Sequence, residues 1–226
     1  EFIRNDICYQ NQNVKVVGMG SGTSWRTLGP SHHTTEDLAA LRAIPNLTIL
    51  SPATPIEAAA CVMTAYEHTG PVYIRLGMGG ETEYFGDGYT TAFGKSTELA
   101  SGSAAAVLCT GSILSEVMEC RDILHSRGVD ISVLNMYSVK PLDEEAVLSA
   151  AGKHRMIFTV EEHSIYGGIG GAAAEVLAGH GCTAKLVRIG LQNSFAKGYG
   201  SQKDVRARNG LDGAGIAETI WEHLNG

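Results

Sequence analysis

The sequence has no C-x-x-C pair, no dense run of Lys or Arg, no low-complexity tract and no apolar stretch near the ~20 residues of a membrane span. The first absence removes a zinc knot and a disulfide frame. The five cysteines, Cys8, Cys61, Cys109, Cys120 and Cys182, are odd in number and scattered, as buried thiols in a reducing cytoplasm are. The missing basic run and a formal net charge of −7 argue against nucleic-acid and membrane-surface partners. Charged residues make up only 18%, too few for a disordered chain, while 44% hydrophobic residues suffice for real cores. At 226 residues, one large or two modest domains are expected. The opening EFIRNDICYQ is charged and amphipathic, unlike a signal peptide, and reads as the later part of a helix.

Two blocks share one rhythm. In the first, Asn13–Met19 reads as a buried strand, followed by a Gly/Ser/Thr loop, a helix over Thr35–Ile44 and a strand over Asn46–Leu50. Thr54-Pro55-Ile56-Glu57 predicts a helix start: Thr54 caps, Pro55 fits the first position, and Glu57 reaches back to complete a capping box. That helix runs to about Glu67, Gly70-Pro71 stops it, and Val72–Leu76 is the next strand. The alternation is that of a parallel α/β sheet. Residues 77–103, rich in Gly, Thr and aromatics, read as a linker with a hairpin turn at Gly86-Asp87-Gly88. The second block has strands at Ala104–Cys109, Asp130–Asn135, Met156–Val160 and Lys185–Ile189. Helices over Ile113–Ser126, from Pro141, over Ala172–Ala178 and over Ile216–Leu224 alternate with them. The boundaries are residues 1–78, a linker 79–103, and 104–226.

Several groups of residues carry possible chemistry. Gly18-x-Gly20-x-Gly22 follows a strand, but the third glycine falls one place early for a dinucleotide fingerprint and a long loop follows, so a tight strand exit is the better reading. Gly167–Gly171 precedes a helix, where free amides suit either an anion or close backbone packing. His32 and His33 lie in a loop at the carboxyl end of a strand, where open parallel sheets bind ligands and two imidazoles can move protons. Adjacent histidines with no third ligand do not suit a metal. Arg75 ends a strand among apolar neighbours and needs a partner, either a substrate phosphate or a structural ion pair. Glu161 and Glu162 point to opposite faces of a strand, so at most one serves any one centre.

The run TLGPSHHTTEDLAALRAIPNLTILSPATPIEA, followed by GPVYIRL, resembles the pyrimidine-binding domain of transketolases. The segments Val139–Asp143, Val160–Gly168 and Gly210–Ile216 resemble the same family's C-terminal domain, and the variant Leu28-Gly29-Pro30-Ser31-His32-His33 is most similar to C-terminal subunits of split transketolases. The resemblance implies an α/β fold: part of a parallel-sheet pyrimidine-binding domain, then a complete Rossmann-like three-layer C-terminal domain. It implies transfer of a two-carbon ketol unit between sugar phosphates in the cytoplasm, in the chemistry of the pentose phosphate pathway. Thiamine diphosphate, with Mg2+ or Ca2+, serves the full assembly. By the same resemblance His32 is the active-site histidine that bonds sugar oxygens, and Arg75, with His33, belongs to the substrate-binding set, Arg75 on the phosphate.

Two departures qualify this. The family aspartate that reads substrate hydroxyls is here Leu28, and Gly20 stands where many transketolases carry a phosphate-facing histidine. The family's cofactor-activating glutamate and ring-stacking aromatic belong to elements before the helix with which this sequence opens, and Gly86-Asp87-Gly88 is not its diphosphate–metal motif. The expectation is therefore a chain that binds no cofactor or metal by itself and is inactive alone. It would work with an N-terminal transketolase section, in a homo-oligomeric assembly, and would expose a sheet edge and apolar surface in its first part. A 2-oxoacid dehydrogenase β subunit, a deoxyxylulose-phosphate synthase, and a non-catalytic assembly module are the alternatives.

Overall fold

The computed structural model describes residues 1–226. The amphipathic opening forms a π-type helix, Ile3–Tyr9, whose Cys8 is buried. The first block then gives β1 (Lys15–Met19), α1 (Asp37–Arg42), β2 (Thr48–Leu50), α2 (Pro55–Glu67) and β3 (Val72–Leu76). Strands β1, β3 and β2 pair in parallel, as β-branched runs joined by crossover helices must. On one face lie Leu38 of α1 and Cys8; on the other lie Cys61 and Ala65 of α2. Strand β1 is the sheet edge, with Val17 and Met19 exposed, which matches the expected open edge.

The second block gives β4 (Thr97–Ala100), β5 (Ala105–Thr110), α3 (Leu114–Ser126), β6 (Ile131–Asn135), β7 (Ser138–Lys140), α4 (Glu144–Lys153), β8 (Met156–Ser164), α5 (Ile169–Gly179), β9 (Lys185–Leu191), α6 (Gln202–Arg208) and α7 (Gly213–Asn225). Its sheet runs β4-β6-β5-β8-β9, parallel except for β4 at one edge. Helices α3 and α7 cover one face around Val107, Val117, Phe158 and Ile216, and α4 and α5 the other around Leu108, Val147 and Leu177. This is the expected three-layer α/β arrangement.

Two local expectations are corrected, and one unannounced strand is added. No hairpin forms at Gly86–Gly88: the turn there stacks Phe85 on Tyr89, with ring centroids 4.1 Å apart, and the chain then supplies the single strand β4 to the second sheet. Thr54 does cap α2, accepting from the Glu57 amide at 3.2 Å, but Glu57 does not close a capping box. Its carboxylate accepts from the Ala53 amide (2.7 Å) and from the Asn135 amide group (2.7 and 2.9 Å), because burial beside β6 offers stronger partners than the helix end. Strand β7, only three residues long, leaves the second block to pair antiparallel with β2 in the first sheet, and the Ser51 amide donates to the Tyr137 carbonyl at 2.7 Å. The two sheets are therefore knitted together by a strand the sequence does not announce.

Candidate active site at the joined sheet edges

The carboxyl ends of both parallel sheets meet, and the long loop between β1 and α1 lies over the junction. The Gly111 amide donates to the Ser51 carbonyl (3.2 Å), and the Ser164 amide to the Thr35 carbonyl (2.7 Å). The loop has a narrow neck: Gly22 and Thr34 exchange both backbone hydrogen bonds, at 3.0 and 2.9 Å. Gly22 has φ +62, and a Cβ there would come within 2.7 Å of the Glu162 side chain, so the glycine is required by conformation and space together. Gly20, at φ +85, lies against the Trp25 indole. The glycines are thus a tight strand exit, as their spacing suggested.

His32 ends a short 3-10 turn, Pro30–His32, at the tip of this loop and is exposed, with Ser31 Oγ 3.0 Å from its Nδ1. An exposed imidazole on a braced loop at a parallel-sheet edge is placed to meet a ligand. His33 turns inward. Both its ring nitrogens are buried without a hydrogen-bond partner, and burial lowers its pKa against the opposing pull of Glu162 and Glu36. A neutral ring with unsatisfied nitrogens is a polar surface awaiting a partner. Leu28, on the same loop, is 49% exposed.

Arg75 is held largely by the protein itself. Its side chain is 2% exposed; Nε donates to Asp37 at 2.9 Å, and Nη2 donates to the carbonyls of Thr34 (2.9 Å) and Glu162 (3.3 Å). The sequence left a phosphate ligand and a structural ion pair open, and the geometry is that of the ion pair. Asp37 also accepts from the Tyr73 hydroxyl at 2.9 Å, so α1 is fastened to β3 by one carboxylate. Only Nη1 of Arg75 lacks a protein partner.

The adjacent glutamates do point apart. Glu161 accepts from the Ile169 and Gly170 amides (2.9 and 3.0 Å) at the start of α5, while burial pushes its carboxyl up to about 7. The helix start behind Gly167-Gly168 is therefore filled by the protein's own carboxylate, and a Cβ at Gly168 would strike it. Glu162, on the opposite side, accepts from Arg206 Nη2 (2.7 Å), Gln202 Nε2 (3.1 Å), the Thr23 amide (3.2 Å) and the Thr23 hydroxyl. Burial opposes its charge, but Arg206, Thr23 and Gln202 outweigh burial and hold its pKa below the usual carboxylate range. Arg206 also donates to Glu116 (3.2 Å).

Neither Gln202 nor Arg206 stands out in the sequence. A signal was present: Ser201-Gln202-Lys203-Asp204 closes a true capping box at the head of α6. No group of three or more His, Cys, Asp or Glu side chains is arranged to hold a metal. The buried carboxylates Glu57, Glu161 and Glu162 are all taken by protein donors, so these residues do not by themselves fit the ring or the metal–diphosphate end of a thiamine cofactor.

Comparison with known proteins bears on this arrangement. Residues 1–79 match the family description "Transketolase, pyrimidine binding domain", and residues 94–216 match "Transketolase, C-terminal domain". The chain is 34% identical over 218 residues to one of the subunits of the apulose-4-phosphate transketolase of Actinobacillus succinogenes, covering 96% of this chain and 70% of that protein. It is 35% identical over 227 residues to a protein of Methanocaldococcus jannaschii named as a putative transketolase C-terminal section, covering 99% and 70%. Among solved structures, one described as "Split gene transketolase, inactive beta4 tetramer" superposes with a TM-score of 0.88 at 32% identity, over 99% of this chain and 70% of that one. With two family domains in order and relatives of this identity along nearly its whole length, the chain belongs to the transketolase family.

Proposed function

We propose that residues 1–226 supply the substrate-facing part of a transketolase that moves a two-carbon ketol unit between sugar phosphates, and that they turn over no substrate alone. Membership of the family implies dependence on thiamine diphosphate. When bound in the assembly, that cofactor supplies the electron sink for carbon–carbon bond cleavage. The carrying observation is the exposed His32, presented by a braced loop at the joined carboxyl edges of two parallel sheets. Its imidazole offers a sugar hydroxyl or carbonyl oxygen a hydrogen bond near neutral pH. His33 lies beneath it with two unpartnered nitrogens, and any substrate phosphate contact by Arg75 falls to Nη1. Leu28 replaces a hydroxyl reader by an apolar side chain, which favours acceptance of differing hydroxyl stereochemistry.

In this reading the metal, Mg2+ or Ca2+, and the cofactor diphosphate are held by an N-terminal transketolase section. The exposed apolar surface on β1 and α2, with Val17, Met19, Val62, Met63 and Tyr66, supports burial of this edge against other polypeptide in an oligomer. The solved split-gene relative forms a tetramer described as inactive, which supports inactivity without a partner. No helix is long and apolar enough to cross a membrane, and the five free cysteines suit the cytoplasm.

The test is ketol transfer measured with this chain alone, with an N-terminal section added, and with His32→Ala in the complex. The expected results are no turnover alone, turnover when combined, and a fall of roughly 10²-fold or more in kcat/KM for the variant. Turnover by the chain alone, or an unaffected variant, refutes the proposal.

A further inference from the structure

We propose that Glu162, a residue of the second sheet, is the positioning residue that holds the β1–α1 loop closed and so sets where His32 stands. This gives the C-terminal unit a part in substrate recognition, and it rests on the reading of His32 given above.

The geometry concerns the neck of the loop. Its two legs are Gly22-Thr23 and Thr34-Thr35, joined by the paired hydrogen bonds between Gly22 and Thr34. Glu162 ties down both legs. Its carboxylate receives the amide and hydroxyl of Thr23 on the first leg. Its backbone carbonyl receives Arg75 Nη2, which also donates to the Thr34 carbonyl on the second leg. Gln202 adds a brace, its Nε2 donating to both Glu162 and Ser24 Oγ, the latter at 3.3 Å. Glu162 is 2% exposed, so its charge is satisfied only by these groups, Arg206 and a long contact from Ser112 Oγ at 3.5 Å. There is no room for a side chain between Gly22 and the carboxylate, since a Cβ there would come within 2.7 Å of Glu162, so the first leg packs closely against it.

A carboxylate accepting from so many donors cannot be replaced by an amide without loss. In Glu162→Gln, the terminal NH2 would face either the Thr23 backbone amide or Arg206 Nη2, both of which can only donate. Glu116 would still hold Arg206, so the second unit keeps half of its ion-pair network.

The experiment uses the full chain. Trypsin cleavage at the exposed Arg26, inside the loop, reports opening of that loop, and acrylamide quenching of Trp25 in a Trp221→Phe background reports it independently. Glu162→Gln is expected to speed cleavage at Arg26 roughly ten-fold or more, as loss of hydrogen bonds to a buried charge raises the open population. Glu116→Gln, which breaks the other Arg206 pair and touches no loop residue, should leave both signals at the parent value. Thr23→Val tests the same link from the loop side should Glu162→Gln fail to fold, and Thr23→Ser should restore the parent rate. With the N-terminal section added, Glu162→Gln should lower kcat for ketol transfer while leaving thiamine diphosphate affinity unchanged.

Equal cleavage and quenching in the parent, Glu162→Gln and Thr23→Val overturn the proposal. So does equal loosening by Glu116→Gln, which would reduce Glu162 to a general stabiliser. A loosened loop with undiminished turnover refutes instead the assignment of substrate contact to His32, leaving the clamp in place.

Discussion

Glu57 shows what burial does to one residue. Its carboxylate sits between α2 and β6 at 0% exposure, with Asn135, Tyr89 and the Ala53 amide as its partners, and desolvation lifts its pKa to about 7. The neighbouring Asn135 Oδ1 is buried without a donor. Protonation of Glu57 would supply one, after a flip of the Asn135 amide. Because the folded-state pKa is raised, the folded chain binds the proton more tightly than the unfolded chain. The resulting stability is present below the ordinary carboxylate pKa and is lost as pH rises through about 7. Glu57→Gln keeps a neutral hydrogen-bonding group at all pH values. Its stability relative to the parent should therefore grow between about pH 4.5 and pH 7, by on the order of 2–3 kcal/mol. Urea unfolding of both proteins across that range checks the sign. Comparing the two curves also cancels Glu161, which titrates in the same window for the same reason.

At the scale of elements, the small helix α1 has six residues and no side-chain cap. Its position depends on tertiary contacts, chiefly Leu38 in the core and Asp37 on Arg75 and Tyr73. Asp37→Ala would leave a buried guanidinium without its anion. The expected cost is about 3–5 kcal/mol, with Asp37→Asn losing less because it keeps an acceptor. Thermal unfolding of both variants measures the difference. The same element shows how much the sequence could disclose. The apolar stripe Leu38, Leu41, Ile44 announced a helix here, and the β-branched runs announced β1, β3, β5, β6, β8 and β9, because their periodicity is local. Strand β7 was not legible: Ser138-Val139-Lys140 has no period, and only its partner β2 makes it a strand. Of the site, His32 and its loop were readable from position at a strand's carboxyl end. The burial of Arg75 and the grip of Glu162 were not, since Asp37, Thr23, Gln202 and Arg206 come together only in three dimensions.

For the whole molecule, the two blocks read from the sequence are joined in the structure. β7 completes the first sheet from the second block, and Glu162, Arg75 and Glu57 each bridge the blocks with buried polar groups. A boundary of this kind transmits unfolding. Trp25 lies in the first block and Trp221 in α7, so two single-tryptophan variants should report the same urea midpoint. Separate midpoints would show that the bridges carry little energy.

Strand β7 has a consequence in time as well as in space. During synthesis β2 emerges long before its neighbour Ser138–Lys140, with roughly ninety residues between them, or about 5–18 s at ordinary translation speeds. Through that interval the flank of β2 that β7 will cover stays open. The nascent first sheet is thus sticky on that side until the ribosome has delivered Ser138–Lys140. A pause in translation before β7 would prolong its exposure to wrong partners and to chaperones.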